Sequence, residues 1–229
     1  NLPLTIVIPI SLGTIFMTTT LNSARFIKAG LITNKKLVIS FLITCSIGAF
    51  TGAKLTSLID TQLGKQILAI VLSVSVFKIL FYKNSEESVD DSIVSTKLVA
   101  ITGIIGSFIS SITGLGGGIV FTPMLISLVK MPLKLVSPYS NLAMSIATLI
   151  GVLPHLFNDI SSVERTSELP ALAQGFFIGN VNIVIILIMT STAIMGSKLG
   201  IKYNHSVSSN IKKKLLAAFI ALLIIKMLI

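Results

Sequence analysis

The sequence predicts an all-α, polytopic transmembrane helix bundle of two inverted repeats with Gly-broken helices. Three observations predict this fold: an apolar composition, a series of apolar segments separated by short loops, and an internal repeat whose loop charges alternate. Of the 229 residues, 53% are hydrophobic and 11% are charged. Because a soluble domain carries about 25% charged residues, this composition indicates an integral membrane protein. The net charge of +10 does not indicate a nucleic-acid partner, since basic side chains collect at one end of membrane helices.

Apolar segments divide the chain into two halves. An untilted helix needs about 20 apolar residues to cross a membrane. We expect helices over Leu4–Leu21, Leu37–Leu58, Lys65–Tyr82, Leu98–Thr113, Ile119–Val129, Leu135–Leu153, Phe176–Gly196 and Leu215–Ile229. The most hydrophilic loop, residues 84–97, links a first transmembrane repeat, residues 1–83, to a second repeat, residues 98–229.

An internal repeat relates these halves. Leu2–Ser11 aligns with Met131–Ser140 at an offset of 129 residues, and two prolines, a Leu, a Val and a Ser coincide. Gly52–Leu55 aligns with Gly196–Leu199 at an offset of 144 residues. The increase in offset falls in loops, where insertions are tolerated. Matches in the same order indicate a duplication.

Loop charges indicate that the two copies have opposite orientations. The loop from Arg25 to Lys36 is +4, whereas its counterpart, Pro154–Gln174, is −2 with His neutral. The turn Asp60–Lys65 is neutral, whereas Lys198–Lys214 is +5. Since basic loops stay on the cytoplasmic side, the copies are predicted to be inverted. Inverted repeats are typical of secondary transporters, whose site lies near the bilayer midplane.

The repeat also predicts that the sequence is N-terminally truncated. At an offset of 129 residues, the counterpart of the glycine stretch 114–118 falls before residue 1. We therefore expect a first helix and a first glycine motif, about 30 residues, to be missing. The first residue, Asn1, is consistent with this expectation.

A glycine-rich stretch, Gly114–Gly118, interrupts the second half. Four of its five residues are glycine, and both flanks are uncharged and short for a membrane crossing. Unwound backbone at membrane depth is tolerated where it is buried in protein or lines a cavity. The N–H groups of a following half-helix would then attract an anion. The alternative is a Gly-rich turn that only lets helices pack closely.

Candidate substrate-binding residues follow from this interpretation. Backbone N–H groups bind oxyanions without a formal charge, and nearby hydroxyl and amide groups add donors. The candidates are Gly114, Gly116, Gly117, Gly118, Thr113, Thr122, Ser140, Asn141, Ser145, Ser11 and Thr14. For each hydroxyl, the alternative is a hydrogen bond to the i−4 carbonyl of its own helix.

Catalytic, metal and cofactor sites are not predicted. The single cysteine, Cys45, excludes an intramolecular disulfide and a multi-thiolate metal site. Both histidines, His155 and His205, fall in predicted loops, and no HExxH or Ser/His/Asp spacing occurs.

Several motifs resemble the sulfite exporter TauE/SafE family. These are Gly114–Gly118 followed by Pro123, the segment Pro138–Ser140, and Gly196–Leu199 after Asn180–Asn182. The resemblance covers nearly the whole chain and implies a membrane transporter of small anions such as sulfite or organosulfonates. The family carries a glycine motif in each half, and only the second is present here. The acidic residue often found after Gly-Asn-Val in the family is Asn182 in this chain.

The expected function is secondary transport of small sulfur-containing anions by alternating access around the glycine stretch. The alternatives are an anion channel and a non-transporting membrane scaffold or assembly protein. We expect a multi-pass protein of the plasma membrane, specifically a prokaryotic inner membrane, that is not an enzyme. Its expected partners are a small anion and the lipid bilayer, without nucleic acid, and a homodimer is left open.

Overall fold

The computed structural model describes residues 4–56, 66, 69–70, 73, 94–113, 116–157, 176–204, 211, 214–215 and 217–222. The named elements are α1 (Leu4–Lys28), α2 (Lys35–Thr56), α3 (Thr96–Thr113), α4 (Gly118–Ser127), α5 (Leu133–Leu156), β1 (Phe177–Ile178), β2 (Val181–Asn182) and α6 (Ile183–Asn204). The predicted segment Lys65–Tyr82, the linker from residue 84 to 93 and most of Leu215–Ile229 lie outside the described residues.

Three of these helices are long and apolar enough to cross a membrane. They contain the candidate spans Val7–Lys28, Lys35–Leu55 and Lys134–Leu156. Shorter apolar helices cover Thr96–Ile112, Gly118–Ser127 and Ile183–Lys198. The structure is mostly helical, and its long apolar helices agree with the predicted membrane protein.

The first helix is longer than predicted. The sequence places its end at Leu21, before the basic residues, but α1 continues to Lys28. The polar run does not end the helix, because Thr18 and Thr19 donate hydrogen bonds to the carbonyls of Thr14 and Ile15, at 2.8 Å and 2.7 Å. A hydroxyl that is satisfied by its own helix is compatible with an apolar environment.

A short β-hairpin replaces the start of the predicted helix Phe176–Gly196, so the fold is not purely α-helical. Phe177 pairs with Asn182 and Ile178 pairs with Val181. The Asn182 side chain then accepts a hydrogen bond of 3.0 Å from the Ile185 N–H and caps the first turn of α6.

The last turn of α5 holds this hairpin in place. His155, which the sequence assigned to a loop, lies in that turn. Its carbonyl accepts a 2.9 Å hydrogen bond from the Asn180 N–H in the hairpin turn.

One face of α2 is buried in the protein, and the other face is exposed. Leu37, Phe41, Cys45 and Ala49 recur every four residues, and all four are fully buried. The intervening Ile39, Ile43, Ile47 and Phe50 are exposed over more than half of their surface. An apolar exposed face of this kind is expected where a helix contacts lipid rather than water.

Two glycines bring α2 into direct backbone contact with α3. A Cβ on Gly48 would collide with the Ile104 carbonyl oxygen, and a Cβ on Gly52 would lie 2.7 Å from the Phe108 carbonyl oxygen. The contact advances in the same direction along both helices, so α2 and α3 run parallel. Gly48 and Gly52 form a G-x-x-x-G motif, which permits this close approach of membrane helices.

The main apolar core lies between α2, α4 and α5. The Phe41 ring on α2 packs edge-on against Phe121 on α4, with 6.1 Å between ring centroids. It also contacts Tyr139 on α5 at 6.5 Å. All three rings are fully buried, so they fix α4 against the two longer helices.

Contacts along α1 define the directions of two further helices. Leu12 contacts Gly151, where an added Cβ would lie 3.3 Å from the Leu12 side chain, and Asn22 hydrogen-bonds to Asn141 at 3.4 Å. These two pairs show that α1 and α5 run antiparallel. By contrast, Thr14 contacts the sulfur of Met189 and Asn22 contacts Ser197, so α1 and α6 run parallel.

The chain reverses direction at the glycine stretch. Gly106 of α3 packs against Phe121 of α4, and Ser110 of α3 lies beside Gly117. These pairs show that α3 and α4 are antiparallel and form a helical hairpin with the glycines at its tip. Where the sequence predicts a broken helix, the structure has a reversal between two helices; α3 ends at Thr113 and α4 begins at Gly118.

Candidate functional site

The tip of this helical hairpin has a backbone conformation that favours glycine. Gly116 has φ of +67° and Gly117 has φ of +83°. Residues with a Cβ rarely adopt this left-handed region, whereas glycine does so at little cost. Gly117 is followed directly by helical residues, so a left-handed residue precedes right-handed ones. This order of conformations turns successive N–H groups toward one side, as in an anion-binding nest.

The first turn of α4 supplies the candidate hydrogen-bond donors. The N–H groups of Val120 and Phe121 donate to the Gly117 carbonyl, at 2.9 Å and 2.7 Å. Gly117 is the N-cap and offers no side chain to the turn. Within the described part of the chain, the N–H groups of Gly118 and Ile119 make no hydrogen bond. Both N–H groups belong to the first turn of α4, at the positive end of its dipole.

Uncharged side chains surround the glycines. An added Cβ on Gly116 would collide with Ile15 of α1, and one on Gly118 would lie 2.8 Å from the sulfur of Met144 on α5. On Gly117, it would lie 2.7 Å from the Phe121 ring and 2.9 Å from the Ser110 hydroxyl. The glycines thus permit close packing as well as a left-handed backbone. These contacts are compatible with an anion site and with a turn that only lets helices pack closely.

A hydroxyl pair connects the two helices that follow the glycines. The Thr122 and Ser140 hydroxyl oxygens are 3.2 Å apart and share a hydrogen bond between α4 and α5. Ser140 is almost fully buried, and Pro138 lies two residues before it within α5. The structure therefore brings together two of the predicted site residues, which are 18 positions apart in the sequence.

Asn141 belongs to a different polar cluster. Its side chain accepts a 3.4 Å hydrogen bond from Asn22 of α1, whose own carbonyl oxygen accepts a 3.5 Å bond from Ser197 of α6. Asn141 also donates to the Ser137 carbonyl at 2.9 Å. Sequence reasoning missed Asn22 and Ser197. Their polar side chains near the ends of apolar helices are the only signal in the sequence that points to them.

Other candidate hydroxyls are satisfied within their own helices. Thr14 donates to the Ile10 carbonyl at 2.8 Å, and Ser145 donates to the Leu142 carbonyl at 2.8 Å. These bonds match the alternative of back-bonding within the helix. Ser11 lies on α1 and is partly buried. Thr113 is the last residue of α3, and Gly114 lies outside the described residues.

The described surroundings of the glycines are uncharged. The side chains that contact Gly116, Gly117 and Gly118 are apolar or carry a hydroxyl group. No group of three His, Cys, Asp or Glu residues that could hold a metal occurs among the residues that the structure describes. Backbone N–H donors in such surroundings favour a small anion, because each donor is oriented before the anion arrives.

Comparisons with known proteins identify the family of the chain. The family model for Sulfite exporter TauE/SafE matches residues 2–227. A protein of Methanocaldococcus jannaschii named as a probable membrane transporter is 27% identical over 224 residues, which cover 96% of this chain and 77% of the relative. No solved structure matches the chain significantly. The match over nearly the entire length shows that this chain belongs to the sulfite exporter TauE/SafE family, a family of membrane transporters.

Proposed function

We propose that this chain is a secondary transporter of small sulfur-containing oxyanions, such as sulfite or organosulfonates. In this proposal the anion binds to the N–H groups at the tip of the α3–α4 hairpin, and the protein alternates between inward-open and outward-open states around it. The observation that carries the proposal is the position of this tip beside the middle of two membrane helices.

Contacts of the glycines define that position. Gly116 touches Ile15, near the centre of α1, and Gly118 touches Met144, near the centre of α5. Both α1 and α5 contain spans of a length that crosses the hydrocarbon core. The tip is therefore far from both ends of these helices. Secondary transporters place their substrates at this depth, where helix N-termini point toward anionic groups.

Helix directions support the predicted inverted repeats. The repeat aligns α1 with α5 and α2 with α6. The contacts make α1 and α5 antiparallel, and α6 runs parallel to α1. Gly118 contacts Met144 and Thr122 bonds to Ser140, so α4 and α5 are antiparallel. Because α3 is antiparallel to α4 and parallel to α2, α2 runs in the direction of α5 and opposite to α6. The two helices of each aligned pair are thus antiparallel, as expected when a two-fold axis in the membrane plane relates the copies.

Charge placement supports a multi-pass protein with a defined orientation. The directions above bring together the end of α1, the starts of α2, α3 and α5, and the end of α6. Most basic residues of the described helices and loops lie at this side: Arg25, Lys28, Lys35, Lys36, Lys97, Lys130, Lys134 and Lys198. By the positive-inside rule, this side is cytoplasmic. We place the protein in the plasma membrane of a prokaryote.

Counterflow in proteoliposomes tests the proposal. The purified full chain is reconstituted, vesicles are loaded with unlabelled sulfite, and uptake of radiolabelled sulfite is followed. A carrier shows saturable uptake that is stimulated by sulfite on the other side of the membrane. Flux without saturation or counterflow would instead indicate a channel, and no protein-dependent flux of any tested anion would contradict transport.

A ligand screen narrows the substrate. Thermal unfolding of the purified protein is measured with sulfite, thiosulfate, sulfoacetate, taurine and sulfate. A substrate that binds the folded protein raises its unfolding temperature, and the increase grows with the ratio of ligand concentration to Kd. We expect sulfite or a sulfonate to stabilise the protein more than sulfate does at the same ionic strength. Sulfite has a lone pair on sulfur and a sulfonate has an apolar substituent, whereas sulfate presents oxygen atoms on every side.

A further inference from the structure

Two apolar side chains from different helices border the tip of the hairpin. Ile15 of α1 lies against Gly116, and Met144 of α5 lies against Gly118. Both side chains are only partly buried. Gly118 itself makes the contact with Met144, and the N–H groups of Gly118 and Ile119, in the first turn of α4, follow Gly116 by two and three residues.

The two residues occupy equivalent positions in the predicted repeats. The offset of 129 residues that aligns Leu2–Ser11 with Met131–Ser140 also aligns Ile15 with Met144. Because α1 and α5 pack antiparallel, their equivalent central residues lie close to the axis that relates the copies. The glycine stretch therefore lies across a pair of equivalent side chains at the centre of the bundle.

We propose that Ile15 and Met144 determine substrate specificity by contacting the part of the anion that is not bound by backbone N–H groups. This inference rests on the proposed anion site at the hairpin tip. N–H donors bind the oxygens, whereas the isoleucine and methionine side chains present only apolar surface. An oxyanion with a small apolar substituent buries that substituent against them, while a bare oxyanion must lose water from a charged face.

A series of alkanesulfonates tests this assignment. Methane-, ethane-, propane- and butanesulfonate compete with radiolabelled sulfite for counterflow by the wild-type chain and by Ile15→Ala and Met144→Ala. Each substitution opens room beside the glycines, so the optimum shifts to longer chains. Each additional methylene group that becomes buried improves the competition about fourfold.

Leu12→Ala is the matched control. Leu12 lies on the same face of α1 and contacts Gly151 of α5, but its side chain is not among the nearest neighbours of Gly116, Gly117 or Gly118. It belongs to a separate apolar cluster with Ile10, Val152, Val181 and Ile186. This variant should lose stability to a similar degree and keep the wild-type order of alkanesulfonates.

The outcomes separate the two proposals. Counterflow that persists in Ile15→Ala and Met144→Ala with an unchanged order of chain lengths overturns the assignment and leaves the anion site in place. Absence of sulfite and sulfonate transport by the wild type overturns both. If the alanine variants do not fold, Ile15→Val and Met144→Val, which each remove a smaller volume, take their place, and a smaller shift in the same direction supports the assignment. No shift in these variants overturns it.

Discussion

Alanine at Gly117 is expected to damage both stability and transport. A residue with a Cβ loses about 1–2 kcal/mol in the left-handed conformation, and Gly117 has φ of +83°. The added methyl group would also lie 2.7 Å from the Phe121 ring and 2.9 Å from the Ser110 hydroxyl. Overpacking of this kind costs about 1–3 kcal/mol. The total loss of folding free energy is therefore about 2–5 kcal/mol.

Transport should fall more than stability explains. The backbone must shift to relieve the contact between the added methyl group and the Phe121 ring. We expect this shift to change the orientation of the N–H groups at the start of α4. Loss of one hydrogen bond to a charged ligand costs about 1.5–3 kcal/mol, which corresponds to affinity reduced by about tenfold to somewhat over a hundredfold. Counterflow of radiolabelled sulfite, normalised to the amount of folded protein in the vesicles, measures this effect.

Gly179→Ala is the matched control. Gly179 also has a positive φ, +56°, and an added Cβ would collide with the His155 carbonyl oxygen and lie 2.7 Å from the Leu156 carbonyl oxygen. The conformational cost is of the same kind as at Gly117, and the steric cost is at least as large because backbone atoms are less able to move than side chains; the residue lies in the β-hairpin at the end of α5. We expect a loss of stability at least as large as in Gly117→Ala, with normal transport per folded molecule. Wild-type transport by Gly117→Ala, or equal loss in both variants, would refute the reasoning.

Substitutions at four residues test three polar contacts, each by unfolding of the purified protein. Thr122→Val or Ser140→Ala leaves the partner hydroxyl without this hydrogen bond and should lower the free energy of unfolding by about 1 kcal/mol. The double variant should lose less than the sum of the two single losses, since both substitutions remove the same bond. Asn182→Ala removes the cap that bonds to the Ile185 N–H and should lower the free energy of unfolding by about 1 kcal/mol. An unchanged free energy of unfolding would show that the cap is dispensable. Asn22→Ala should cost about 1 kcal/mol, because it removes an amide that joins three helices; an unchanged unfolding midpoint would contradict that role.

Composition and hydropathy were sufficient to predict a helical membrane protein. Long helices have a strong signal, because about 20 apolar residues have few other stable environments. Helix ends were less accurate, as at Lys28, where threonines bonded to their own backbone allow the helix to continue. The β-hairpin at Phe177–Asn182 was missed because strands of two residues are too short to show a period.

The reversal at the glycine stretch was not predictable in detail. Local sequence indicates that a helix stops near Gly114 and another begins after it, but it contains no information on the angle between them. That angle is set by distant contacts, such as Gly106 with Phe121. Likewise, the bond between Asn22 and Asn141 spans 119 residues. Thr122 and Ser140 were each predicted as site residues, but the hydrogen bond that joins them across α4 and α5 was not predicted.

The parallel contact between α2 and α3 restricts how the molecule can move. In the predicted organisation, α2 belongs to the first repeat and α3 to the second, yet Gly48 and Gly52 bring their backbones together with no intervening side chain. Sliding one helix along the other would force carbonyl groups past the glycines. Any rocking motion that displaces α3 must therefore carry α2 with it. The rigid unit that contains these two helices would combine parts of both copies.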